Sequence, residues 1–571
     1  MAEADAAKKP SSWRILGRAL RNRKTGFMLL FGFASGLPFA LFLGTLFAWL
    51  TEAGVDLETM GVFSLIGLAY AFQFIWSPLI DKADLPGLRR LGKRKQWIVP
   101  MQLLLGGILV TMAILDPRSQ LGMFSLLAGI GALASATQDI AINAWRIDVA
   151  DEEAPLDVLS TVYQMGFRLS SLAGGALALI VAERIGWPQT YVAMGAMLLA
   201  IGAAGLFAPD SGRGAAAESD AEVRALRRAG ELSPRIRHRA LAIVGVLWLG
   251  AIVVLLDFMV RSMTSPPESR PDPTAFTLAW GPWVIVATIV MPALVAGWLA
   301  GQQRRGNHLL AEDAPPASGA GAALDHLYRA LVLPLVEFVG RMGWSLVLIL
   351  AVVLTYRICD AIWGTFAYPF YLGELQYTKD EVAFASKMFG IGAIVLGLAI
   401  GGWMLTALGR MPTLLIGGLL AALTNLLYAD MAAGSPVVGA VAGASGFSAL
   451  VSSFPGGSER LARLMLTIGA ENLAIGIAGA AFVAWLSSIV SKQFSAVQYA
   501  LLSSLTLLIG ALGRGALGQM IERQGFYDVF ILTTWIGVLA MLLVVAEWWR
   551  QSRPGAQGVV APEAKDVAAA E

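Results

Sequence analysis

Arg168, Asp360 and Glu471 are ionisable residues set deep inside long apolar stretches of a 571-residue chain. Arg168 lies about ten residues into the run 158–182, Asp360 about sixteen into 344–370, and Glu471 about nine into 462–489. An ionised side chain at the centre of a membrane helix costs at least ~2.5–3.5 kcal/mol on insertion scales, so each needs a partner, water or a function. Burial favours the neutral form of a carboxyl group, which suits Asp360 and Glu471 to proton exchange. A guanidinium suits carboxylates, so Arg168, with Lys387 in the run 381–404, is a receptor for an anionic solute. The competing reading is a structural ion-pair network that locks helices together.

Spacing adds neighbours to this set. Tyr356 and Asp360 stand i, i+4 on one helix face, and Arg357 can pair with Asp360 at i, i+3. Asp139, Asn143 and Arg146 share a face of the run 121–145, nearer one end, with Gln138 adjacent. Asp139 is therefore a third candidate for proton coupling, and Gln138 and Tyr356 join the solute-binding set. Trp145, Trp363 and Tyr368 suit stacking on sugar rings or anchoring at a membrane interface. All three histidines (His238, His308, His326) fall outside the apolar runs, which excludes intramembrane histidine–metal chemistry. No nucleophile–base set is recognisable, so the chain reads as neither an enzyme nor a cofactor or nucleic-acid binder.

The elements that position these groups are membrane helices. The chain is 57% hydrophobic and only 14% charged, against about 25% charged for an average soluble domain. A single cysteine, Cys359, excludes an internal disulfide framework. Apolar runs at 27–50, 60–80, 97–115, 121–145, 158–182 and 190–208 are each long enough to span a bilayer core of about 30 Å. Two more follow at 240–260 and 281–301, then six at 344–370, 381–404, 411–430, 462–489, 495–519 and 527–547. Lys and Arg concentrate in the 1–25 tail and the 81–96 and 209–239 loops, while 51–59 has none; this predicts a cytoplasmic location for both termini. Fourteen spans result.

Weak internal repetition divides them. Ala144-Trp145 matches Ala484-Trp485 and Gly175-Ala-Leu177 matches Gly515-Ala-Leu517 at an offset of 340. Glu183-Arg184 with Gly186-Trp187 matches Glu522-Arg523 with Gly525-Phe526 at 339, and Gly44-Thr45 matches Gly364-Thr365 at 320. The shift in offset points to extra sequence at 433–460. Two six-helix halves, 26–208 and 344–549, are the architecture of major facilitator transporters, with the solute site between them near the bilayer midplane. Residues 209–343 then form a central linker carrying a peripheral helix hairpin, with linkers at 215–239 and 306–323, and 550–571 a tail.

Between the second and third runs lies Trp76-Ser-Pro-Leu-Ile-Asp-Lys82 followed by Gly92-Lys-Arg-Lys95. It is similar to the signature loop of that superfamily. Asp81 is placed to cap a neighbouring helix N-terminus, and Lys82, Lys93 and Arg94 to pair with carboxylates such as Asp148 and Asp151 across Gly92. The plainer reading is that these bases only set topology.

A more specific resemblance rests on Gly32-Phe-Ala-Ser-Gly-Leu-Pro38, Phe63-Ser-Leu65, Ser135-Ala-Thr-Gln-Asp-Ile140, Gly166-Phe-Arg-Leu169, Tyr356-Arg-Ile-Cys-Asp360 and Glu471-Asn-Leu473. With Phe494-Ser-Ala496 and Ala500-Leu-Leu-Ser503, these resemble the AmpG family of muropeptide permeases across both halves. The resemblance implies a monomeric inner-membrane importer of N-acetylglucosaminyl-anhydro-N-acetylmuramyl peptides, coupled to protons, with Asn472 beside Glu471 in the solute site. Asn143 stands where the family pattern favours an acid, and the extra helix pair sits between the halves. Related permeases carry siderophores or acyl-CoA-like molecules, and a non-transporting sensor is a further alternative, although no folded soluble domain is visible for it.

Overall fold

In the computed structural model the described residues are 17–54, 70, 72–210, 232–264, 269, 271, 273–307, 319–357, 367 and 369–553, and they form helices with no strand among them. The N-terminal half contains α1 (Arg23–Ala40, carried on through a π-turn by Leu46–Glu52), α2 (Ser77–Lys82), α3 (Lys95–Ala113) and α4 (Leu121–Asp148). It ends with α5 (Leu156–Ser171, extended through a π-turn to Ile185) and α6 (Trp187–Gly205). The C-terminal half has α11 (Ser345–Tyr356), α12 (Lys379–Ala383, extended through a π-turn by Gly390–Ala407), α13 (Arg410–Ala432) and α16 (Glu459–Ser488). Its last helical run, Ser495–Gln551, is broken at Gly525 (φ 83°, ψ 173°) into α17 (495–524) and α18 (526–551).

Among the described residues nine segments are long and apolar enough to cross a membrane. The described helices α1, α2, α6, α11 and α17 overlap the other five expected runs, in the order of two six-helix halves plus a central pair; much of the run 60–80 and of the end of 344–370 lies outside the described residues. Backbone geometry repeats with the sequence. Gly186, between α5 and α6, has φ 87° and ψ 161°, close to Gly525 between α17 and α18. Both matched tryptophans, Trp145 and Trp485, are fully buried.

Each half is tied by close backbone contact. A Cβ on Gly32 would collide with the carbonyl of Tyr163, which lets α1 lie against α5; Gly397 stands likewise against Leu473, joining α12 to α16. Such small-residue contacts replace the hydrophobic drive that is missing between helices in lipid. The halves meet where α5 crosses α12 and α16, and where α2 and α4 reach α17.

The centre departs from the sequence expectation. The hairpin is α7 (Pro234–Thr264) and α8 (Pro273–Ile285, continued through a π-turn by Met291–Arg304), so 234–239 is helix and not linker. Residues 320–342, expected as linker and loop, form α9 (Ala320–Leu331) and α10 (Leu333–Met342), and α10 meets α11 at a bend of 103°. These helices are too short to span. An interfacial helix needs only an apolar stripe, and Tyr328, Leu335 and Phe338 are buried from it. The extra sequence at 433–460 likewise holds two short helices, α14 (Pro436–Ala444) and α15 (Phe447–Ser452); Asp430 accepts from the Val437 and Val438 amides and caps the first.

Candidate functional site: the seam between the halves

At the end that carries the chain termini, a buried ion network crosses the seam. Arg94, just before α3, donates to Asp148 (2.7 Å) at the end of α4 and to Asp81 (2.8 Å) on α2. It also reaches the Ile80 carbonyl (3.0 Å) and the Ser495 hydroxyl (2.8 Å) in the other half. Ser495 in turn donates to Asp148 (3.0 Å), and Asp81 accepts from the Ala496 and Val497 amides, capping α17 as its position led one to expect. Burial opposes the charge on Arg94, but Asp148 and Asp81 outweigh it and hold the guanidinium above its ordinary value. A second pair crosses nearby: Arg410 of α13 donates to Asp157 of α5 at 2.6 Å, both buried. Gly92 adopts φ 97° with Asp210 packed against it, and Lys24 pairs with Asp151. Lys93 is half-buried, and the Lys82 side chain lies outside the described residues.

Further into the seam stands Asp139. It accepts from Ser35 of α1 (2.5 Å) and from Tyr163 of α5 (2.7 Å). The Tyr163 ring lies under the Arg146 guanidinium, 4.8 Å away, and the Tyr499 ring of α17 lies 5.0 Å from it. Arg146 donates to Ser487 of α16 at 2.8 Å. The sequence singled out Asp139 and its helix face, but Ser35, Tyr163, Ser487 and Tyr499 belong to other helices.

The face of α5 that looks into the C-terminal half carries Thr161, Gln164 and Arg168 at i, i+3, i+7. Thr161 packs over Gly402, and the Gln164 and Arg357 heads both converge on Gly479, whose missing side chain makes the room they occupy. Arg168 is half-buried one turn beyond Gln164. Glu471 accepts from Tyr428 of α13, which exchanges a hydrogen bond (2.8 Å) with Tyr371.

Several expected site residues are used differently. Gln138 is fully buried with its amide on the Ala34 carbonyl, because α4 packs directly on α1 there. Tyr356 is stacked on Phe482 and donates to the Leu414 carbonyl (2.8 Å), which is packing inside one half. Trp145 is buried against Phe31 with its indole N–H on the Pro209 carbonyl, leaving no face for a sugar. Asn472 donates to Ile468 of its own helix, and Lys387 is exposed on the π-turn of α12 beside exposed Phe384 and Met388. Asp360, Trp363 and Tyr368 lie outside the described residues.

Two helical halves joined by a polar seam, closed at one end by buried ion pairs, define a membrane transporter of the major facilitator type. Solved structures agree on the fold: a double-tryptophan mutant of XylE superimposes with a TM-score of 0.53 at 12% identity, covering 96% of this chain and 98% of that one. An auto-inhibited POT family peptide transporter gives 0.50 at 12% identity, covering 95% and 100%. By sequence the chain is similar to the AmpG permeases, as its motifs led one to expect. The anhydromuropeptide permease of Escherichia coli (strain K12) is 27% identical over 531 residues, 92% of this chain and 80% of that protein. A family model described as acetyl-coenzyme A transporter 1 matches residues 26–121. These relatives and neighbours are transporters, not enzymes.

Proposed function

We propose that this protein imports anhydro-muropeptides across the inner membrane by alternating access, driven by protons, with both termini in the cytoplasm. The observation that carries the solute class is the similarity to the anhydromuropeptide permease through 92% of the chain, both halves included. The seam supports the mechanism. The gate formed by Arg94, Asp81, Asp148 and Ser495, with Arg410 and Asp157, closes the termini end, and Arg168 and Arg357 supply cations further in for an acidic peptide. Asp139 is the coupling carboxylate favoured by its seam position, with Glu471 and Asp360 as the alternatives in the other half. Asn472 and Lys387 remain solute-binding candidates of lower rank, on the contacts described above, and the transporter acts as a monomer.

Uptake of labelled anhydro-muropeptide by proteoliposomes, with and without an inward proton gradient, tests this directly. Gradient-dependent accumulation is expected, and uptake of no muropeptide under either condition would reject the solute class. The match over 26–121 favours one second reading, an acyl-CoA-type anion, which competition by acetyl-CoA in the same assay would reveal. Orientation is tested by labelling single cysteines from outside in a Cys359→Ser background: position 376 should react and position 93 should not.

A further inference from the structure

Three arginines are buried to the last at the seam, and one differs from the others. Arg94 is matched by Asp81 and Asp148, and Arg410 by Asp157. Arg146 is equally buried, but among the described residues no carboxylate stands within ion-pairing distance; Asp139 acts on it only at longer range, and it meets the Ser487 hydroxyl and two tyrosine rings. Its Nε and Nη1 have no hydrogen-bond partner among the described residues. Leaving a buried cation with unmet donors is costly, since removing a partner from a buried ion pair costs several kcal/mol. Aromatic faces offset part of this through cation–π attraction, but they accept no N–H bond in the plane of the guanidinium.

The position of Arg146 explains why such a cation is kept. Its helix, α4, and Tyr163 belong to the N-terminal half, whereas Ser487 and Tyr499 belong to the C-terminal half. Separation of the halves at the termini end would remove Ser487 and one ring together, leaving Arg146 with free donors facing the opened seam. Tyr163 stays beneath it, and through its hydroxyl remains joined to Asp139. We infer that Arg146 is a binding residue for a carboxylate of the transported solute, engaged when the seam opens towards the termini end. The ligand class is an organic acid carrying its carboxylate on a body bulky enough to lie against the Tyr163 ring. In the closed seam Ser487 and Tyr499 stand in for that carboxylate. This inference rests on the proposed solute class and adds to Arg168 and Arg357 a third cation, the one that reads the charge when the seam opens towards the termini end.

The test compares an anhydro-muropeptide with its carboxamide analogue, in which the peptide carboxylates are neutral, by binding to purified full-length protein and by uptake into proteoliposomes. Wild type should prefer the acid by about 10- to 100-fold, the scale of a charge-assisted hydrogen bond. Arg146→Gln should lose most of that preference, keeping only what Arg168 and Arg357 supply, while binding the carboxamide as wild type does. Arg146→Lys keeps the charge without the planar donors and should retain a preference reduced several-fold. It serves as the second variant should Arg146→Gln not fold. If Arg146 is only a latch between the halves, both variants will weaken acid and carboxamide alike with the ratio unchanged, and the inference is wrong. A wild type that binds both equally also overturns it, with the solute class intact. Binding of neither molecule overturns the solute class and the inference together.

Discussion

Each half holds a carboxylate that accepts a hydrogen bond from a tyrosine, and the two lead to different parts of the molecule. From Asp139 the contacts run to Ser35 and Tyr163, from Tyr163 to Arg146, and from Arg146 across the seam to Ser487 and Tyr499. Among the described contacts, those from Glu471 run to Tyr428 and on to Tyr371, both in the same half. Alternating access in this fold is largely rigid-body rocking of one half against the other. A carboxylate whose neighbours straddle the seam changes surroundings when the halves rock. One whose neighbours move with it does not. On the proposed mechanism this favours Asp139 as the group that couples protons to opening, with the described Glu471 contacts holding C-terminal helices together.

The sharpest way to break this comparison is to neutralise each acid in turn. Asp139→Asn should abolish accumulation driven by a proton gradient, worth about tenfold per pH unit for one proton per solute, while downhill exchange persists. Glu471→Gln should retain most of the accumulation and lose thermal stability instead. The opposite pattern would make Glu471 the coupling group. If both variants accumulate solute with the wild-type pH dependence, Asp360 becomes the candidate.

A second contrast concerns the gate. Truncating one member of a buried ion pair costs about 3–5 kcal/mol, so Arg94→Ala and Arg410→Ala should each lower the thermal midpoint markedly in detergent. Because Arg94 and Arg410 lie at separate contacts, the double variant should lose close to the sum of the two. A much smaller loss for the double variant would mean that the gate is already open in solution.

The smallest expected effect separates the tyrosines. Tyr163→Phe and Tyr428→Phe each remove a hydroxyl worth about 1 kcal/mol or somewhat more where its partner is charged. Both should cost similar stability, yet only Tyr163→Phe should shift the pH dependence of uptake. Equal shifts, or none, would remove the distinction between the two carboxylates.

Much of this is legible in the sequence. The apolar runs, the basic loops and the 340-residue offset specify two membrane-embedded halves, because bilayer thickness and backbone hydrogen bonding leave few alternatives. The Asp81 cap and the Arg94–Asp148 pair were foreseeable from a loop motif, since short signature sequences encode local geometry. The amphipathic helices α9 and α10 were not, because a stripe of apolar residues too short to span resembles a linker until something packs on it.

Sequence alone determined the class of molecule and the repeat, both of which follow from one-dimensional periodicity and the thickness of a membrane. Partnership was decided by tertiary structure. Gln138, Tyr356 and Trp145 looked available to a solute and are consumed by packing, while Arg146 looked like one more base near a helix end. Whether a buried charge has a counter-ion depends on which distant helices fold against it, and the partners of Arg146 lie about 340 residues further along the chain.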